Sequence, residues 1–173
     1  MNSGGVQNPT KSCIVLPTGY SMTRYVPSAK SHGHGVPKPL YMFSRRTTLN
    51  DVQNSKVEEK AQAIQSEIPV YVIVMHSSNV NKSLCNQEFS PEYAREYLPR
   101  ENQTMRLRLS GPSKDDTWEA VFRVKNRRHT LGRGWRQFVD DNKLKIGDIC
   151  LFELMTNTKK LTMNVHIIRK RSL

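Results

Sequence analysis

The chain has 173 residues, 27 Lys and Arg against 15 Asp and Glu, a formal net charge of +12 and a pI near 9.9. With 36% hydrophobic residues and a mean hydropathy of −0.62 it can bury one modest core, and two full domains do not fit. No stretch approaches the roughly 18 apolar residues of a membrane helix, and the opening MNSGGVQNPTKSC lacks the basic start and apolar block of a secretory signal, so a soluble intracellular chain with no membrane partner is expected. Cys13, Cys85 and Cys150 are odd in number and include no close pair, which argues against a disulfide framework and a thiolate zinc site and leaves reduced thiols.

Residues 1–50 carry six basic side chains, no Asp or Glu, and five each of proline and glycine. Uniform charge, low hydrophobicity and Pro/Gly punctuation predict a largely disordered basic tail over 1–54. Ser55 with Glu58 then forms a capping-box pattern, and Val57, Ala61 and Ile64 recur at helical spacing, so 55–66 is expected as a short amphipathic helix or linker. Pro69 closes that helix. IPVYVIVM, from Ile68 to Met75, has Val70, Val72 and Val74 on one face and Tyr71, Ile73 and Met75 on the other, the pattern of a strand buried on both sides that opens a domain over 67–173.

SSNVNK, from Ser77 to Lys82, reads as a polar Asn/Ser turn, with a minor strand near Leu84. Ser90 as N-cap, Pro91 at the first helical position and the Tyr93–Tyr97 spacing predict a helix, ended by Leu98-Pro99. Met105, Leu107 and Leu109 alternate with Arg106 and Arg108, a strand with one wet basic face, and Trp118, Ala120, Phe122 and Val124 make its antiparallel partner. A minor strand near Thr130, a helix marked by Trp135, Phe138 and Val139, and closing strands at 149–154 and 161–168 complete the pattern. Seven short strands and two short helices point to a mainly β, partly open barrel.

Charge concentrates between Val121 and Val139, where Arg123, Lys125, Arg127, Arg128, Arg133 and Arg136 occur without one acidic residue. Lys125 to Arg128 fall at the tip between two strands, where Lys and Arg reach phosphates and Asn126 or Arg127 reach base edges; a solvated basic turn is the competing account.

The segment RHTLGRGWRQFVDDNKLKIGDICLFEL, from Arg128 to Leu154, resembles the plant B3 DNA-binding domain, with Leu131, Gly134, Trp135, Phe138, Leu144, Gly147, Asp148 and Phe152 at the motif positions. EIPVYVIVMHSSNVNKS and FSPEYAREYLP are similar to the first strand, N-terminal arm and first helix of that family, so the resemblance covers about 67 to 170. It implies a seven-stranded pseudobarrel that grips the major groove of double-stranded DNA with two arms. Ser78, Asn79, Asn81 and Lys82 would belong to the N-terminal arm, Lys125, Asn126, Arg127 and Arg128 to the C-terminal arm, and Arg133 to a backbone contact. Trp135, Phe138, Gly147 and Asp148 read as structural. The short KNRR arm, and Ser83-Leu84-Cys85 after Lys82, look closest to the reproductive-meristem and vernalization-related class, with weak sequence specificity implied. A nuclear transcription factor follows as the expectation.

An enzyme would need paired carboxylates near a base or a metal, whereas Asp115-Asp116 lies in a polar hairpin and Asp140-Asp141 near a helix end, so no catalysis, cofactor or small-molecule substrate is expected. His32 and His34 in a Gly-rich stretch lack further ligands for a metal. RNA binding, or a chromatin or protein-interaction role with a partner or a second copy, would use the same basic surface. Against single strands, Trp118, Trp135, Phe122 and Phe138 all fall on expected core faces and are not free to stack on bases.

Overall fold

The computed structural model describes residues 38–81, 83, 85–111 and 116–172. In chain order these form β1 (Tyr41–Phe43), α1 (Asp51–Ile64), β2 (Val70–Val74), α2 (Ser77–Val80), β3 (Gln87–Phe89), α3 (Pro91–Tyr97), β4 (Gln103–Leu109), β5 (Thr117–Lys125), β6 (Arg128–Leu131), α4 (Trp135–Asp141), β7 (Ile149–Leu154) and β8 (Thr162–Ile168), followed by a 3-10 turn at Lys170–Ser172. The strands build one open, curled sheet in the order β1-β2-β7-β8-β4-β5-β6-β3. Pairing is parallel at β1–β2 and β4–β8 and antiparallel elsewhere. This is the mainly β, open barrel-like architecture expected, with eight strands among the described residues in place of seven.

Side chains alternate across a strand, so β2 presents two different faces to two different cores. Tyr71 and Ile73 join Phe89, Phe122, Trp135 and Phe152 in the main core. Val70 and Val72, with Ile149 and Leu151 from β7, pack on the opposite side against Tyr41, Val57 and Ala61. All seven residues of this second cluster are at most 1% exposed, and burying a Val, Leu or Ile side chain is worth about 1.5–3 kcal/mol. The cover that the outer face of β2 requires is therefore β1 and α1.

That cover corrects the expected domain limits. Residues 1–37 lie outside the described residues, but 38–54 are not a tail, because Tyr41, Met42 and Phe43 pair with Val70, Tyr71 and Val72. The boundary expected at residue 67 falls inside the packed body. A three-residue strand has no readable period, and this one is specified by the partner it pairs with, against a local composition that reads as coil. The helix also starts earlier than expected. Asn50 Oδ1 accepts from Gln53 N at 2.8 Å and Gln53 Oε1 accepts from Asn50 N at 3.0 Å, so the capping box is Asn50/Gln53. Ser55 lies one turn inside the helix and donates to Asp51 O at 2.9 Å.

The block around α4 is held by two backbone positions that require glycine. Gly134, the residue before α4, has φ +96°, and a Cβ there would lie 2.0 Å from Glu119 O. Gly147 has φ +91° and opens the turn into β7. Asp148, buried beside it, accepts from Lys145 N at 3.0 Å, Lys170 N at 2.9 Å and Arg169 Nη1 at 3.1 Å. Arg169 in turn donates to the carbonyls of Asn142 and Lys143 at the end of α4.

Candidate nucleic-acid interface

The C-terminal arm is the β5–β6 hairpin. Lys125 pairs with Arg128, leaving Asn126 and Arg127 as a two-residue turn with φ of 50° and 62°. Positive φ at both central positions marks a type I′ turn, whose twist matches that of the flanking strands. All four side chains are exposed. Those of Lys125, Asn126 and Arg127 have no hydrogen-bond or ion-pair partner among the described residues. Arg128 is tied down, its Nε and Nη2 donating to Glu88 Oε1 and Oε2 at 2.8 and 2.7 Å. This fork holds the Glu88 carboxyl below the usual carboxylate range.

The N-terminal arm leaves β2 and makes the single helical turn of α2, where a plain turn was expected, before returning to β3. Its organiser is Asn79, 5% exposed. The Asn79 amide accepts from His76 N at 2.8 Å and donates to Asn86 O and Gln87 Oε1, each at 3.2 Å. Its backbone carbonyl accepts from the Trp135 indole Nε1 at 2.9 Å and from Cys85 Sγ at 3.0 Å. The core tryptophan of the GW motif thus pins the arm to the body, a role that the motif alone does not reveal. Ser78 and Asn81 are exposed, while Lys82 lies outside the described residues.

A cleft of about 470 Å³ opens beside α2 and reaches Arg128 of the β5–β6 hairpin. Tyr71 and Phe89 line its floor, with Ser78, Glu88 and Arg128 around them. Tyr71 Oη accepts from Ser90 N at 2.9 Å, and burial pushes its hydroxyl pKa up to about 12, so it stays a neutral polar group. The remaining side is closed by the Ser44–Thr47 turn, which sets Arg45 and Arg46 at the cleft. Sequence reasoning placed these two arginines in a tail and missed them. Arg133 lies elsewhere, exposed in a separate depression beside Glu119 and Asp140. Among the described residues no group of His, Cys, Asp and Glu could hold a metal ion, and no helix is long and apolar enough to cross a membrane.

Two polar loops lie beside a basic cleft on an open sheet, and residues 71–171 match the B3 DNA binding domain family. The chain belongs to this family. A B3 domain-containing protein of Oryza sativa subsp. japonica is 57% identical over 146 residues, 84% of this chain and 29% of its own length. A second from the same organism is 43% identical over 132 residues, 75% of this chain and 25% of its own length. The chain thus spans less than a third of the length of these relatives. Among solved structures, a hypothetical Arabidopsis thaliana protein is similar at TM-score 0.46 and 22% identity, covering 57% of this chain and 88% of its own. The Arabidopsis FUS3–DNA complex is similar at TM-score 0.43 and 16% identity, covering 57% of this chain and 94% of its own. The B3 match begins inside β2, leaving β1 and α1 outside it, whereas a match over 84% of the chain necessarily includes them.

Proposed function

We propose that this chain is a B3-type transcription factor that works in the nucleus and binds double-stranded DNA through its two arms in the major groove. The observation that carries the reading is an exposed KNRR hairpin turn whose Arg128 shares one basic cleft with Ser78 and Asn79 of a polar arm pinned by Trp135. Arg127 and Asn126 supply base-edge contacts, and Lys125, Arg128 and Lys82 neutralise phosphates. Arg133, outside the cleft, is a peripheral backbone contact. Ser78 and Asn81 face outward for contact, while Asn79 positions the arm.

Duplex DNA is favoured over single-stranded RNA because readers of single strands need exposed aromatic faces. Among the described residues the exposed large hydrophobics are Val52 and Ile146, neither of them aromatic. A two-residue turn presents few side chains to the bases, which supports weak sequence specificity and a place near the reproductive-meristem and vernalization-related class.

Fluorescence anisotropy with duplex and single-stranded DNA and RNA, between about 50 and 200 mM salt, tests this. Wild type should prefer the duplex with a log–log salt slope of several units. Arg127→Ala should weaken binding by about tenfold or more, and Lys82→Ala should lower the slope by about one unit. Unchanged binding by both variants refutes the two-arm assignment.

A further inference from the structure

The Ser44–Thr47 turn is built as firmly as the arms. Thr47 N donates to Ser44 O at 3.0 Å, and the two hydroxyls Ser44 Oγ and Thr47 Oγ1 lie 2.7 Å apart. The turn is fastened to β2 through Ser44 N to Val72 O at 2.9 Å and Val74 N to Thr47 Oγ1 at 3.3 Å. It also meets the N-terminal arm, where His76 Nε2 lies 3.3 Å from Arg46 O, with the imidazole N–H as donor. Its two central residues, Arg45 and Arg46, are exposed and line the same cleft as Ser78 and Arg128. Arg45 Nη2 bonds Glu92 Oε1 at 2.5 Å. The Arg46 guanidinium has no hydrogen-bond or ion-pair partner among the described residues.

We infer that the Ser44–Thr47 turn is a third DNA-contacting arm, in which Arg46, seconded by Arg45, binds the phosphate backbone of the duplex that the other two arms engage. The inference rests on the duplex-binding reading above and extends it to a segment outside the matched B3 region.

Three observations lead there. A solvated arginine pair needs no scaffold, yet this one sits on a turn bonded both to β2 and to the N-terminal arm. Both arginines line the cleft together with Glu88, whose carboxyl is lowered first by Arg128 and further by Arg46 and Arg45. Carboxylates neutralise Arg45 and Arg128 in the free protein, leaving Arg46 as the cation of this cluster open to a phosphate without displacing a protein partner. A polyanion laid across the cleft meets Arg46 first, and its phosphates then compete with Glu92 for Arg45. Because the turn is fixed through β2, the contact costs little ordering on binding.

The test is anisotropy of the full chain with duplex DNA across about 50 to 200 mM salt, comparing wild type, Arg46→Ala, Arg45→Ala/Arg46→Ala and Lys60→Ala. Lys60→Ala makes the same charge change on the exposed side of α1, away from the cleft. One phosphate contact contributes about 0.9 to the slope, so its removal shrinks the affinity lost over that range by about 3.5-fold. Arg46→Ala should show this reduction, the double variant at least as much, and Lys60→Ala none, all with melting temperatures near wild type. If wild type binds and the arginine variants keep its slope, the third arm is refuted while the two-arm reading stands. A reduction by Lys60→Ala equal to that of Arg46→Ala also refutes it, because net charge then explains the effect. If wild type does not bind duplex DNA, both readings fall.

Discussion

Asn79 offers the sharpest division between a residue that touches DNA and one that shapes the arm. Asn79→Ala deletes three hydrogen bonds, to His76 N, Asn86 O and Gln87 Oε1, at a position 5% exposed. At about 1 kcal/mol net for each bond, the cost is about 3 kcal/mol, more where a deserted donor or acceptor stays dry. For a chain of this size that amounts to about 10 °C in melting temperature. Ser78→Ala, one residue away and exposed, should leave the melting temperature within about 1 °C. Differential scanning calorimetry of both variants beside wild type, followed by duplex anisotropy, reads the outcome. Asn79→Ala should lose stability and affinity together. An Asn79→Ala protein that melts within about 2 °C of wild type yet has lost its DNA affinity would make the amide a contact and refute the positioning role.

Two further outcomes follow from the packing and the charge pairs. A fragment beginning at residue 67 strips β1 and α1 from the outer face of β2 and β7, exposing Val70, Val72, Ile149 and Leu151, each 0% exposed in the intact fold. At about 1.5–3 kcal/mol per side chain the loss rivals the whole stability of a domain, so the fragment should aggregate or melt without cooperativity, and a sharp transition within a few degrees of the full chain in a thermal scan would refute this. On the acid side, a hydrogen bond from His166 Nε2 at 3.0 Å, helped by one from Asn164, holds the Glu153 carboxyl below its usual range. A depressed carboxylate contributes stability that is complete above its unfolded pKa of about 4.3 and is lost as pH falls through the lower folded value. Urea titrations at about pH 7 and 3.5 should therefore show a smaller acid loss for Glu153→Gln than for wild type, and equal losses would assign the acid sensitivity to other groups.

What could be read from the sequence was whatever repeats locally. Period 2 in Met105 and Leu107, the Ser90-Pro91 start of α3 and the Trp135–Phe138 spacing all depend on near neighbours, and the structure keeps them, whereas Leu109, expected on the same face, is only half-buried. β1 could not be read, because Tyr41–Phe43 is a strand by virtue of Val70–Val72 alone. Yet the unusual feature of β2, apolar on both faces, already demanded a second layer that the expected 67–173 domain did not contain. Arg106 and Arg108 show the same limit. They were expected on a wet face, but β4 lies between β8 and β5, both residues are half-buried, and their Nε atoms are buried without hydrogen-bond partners. In the arms, an asparagine in a polar loop reads alike whether it faces DNA or the body. Only the positions of Asn86, Gln87 and Trp135 turn Asn79 inward.

The type I′ turn at the hairpin tip sets two demands on one position. Its second central residue has φ +62°, a region that glycine enters freely and a side chain with a Cβ enters at a cost of about 1 kcal/mol. Asn126 tolerates the first position through its short side chain, but Arg127 has no such allowance. The substitution that would make this hairpin firmest is the one that removes its foremost charge. A search for stabilised variants of this chain, run without a binding screen, would drift toward glycine at 127 and return a sturdier fold with a blunted arm.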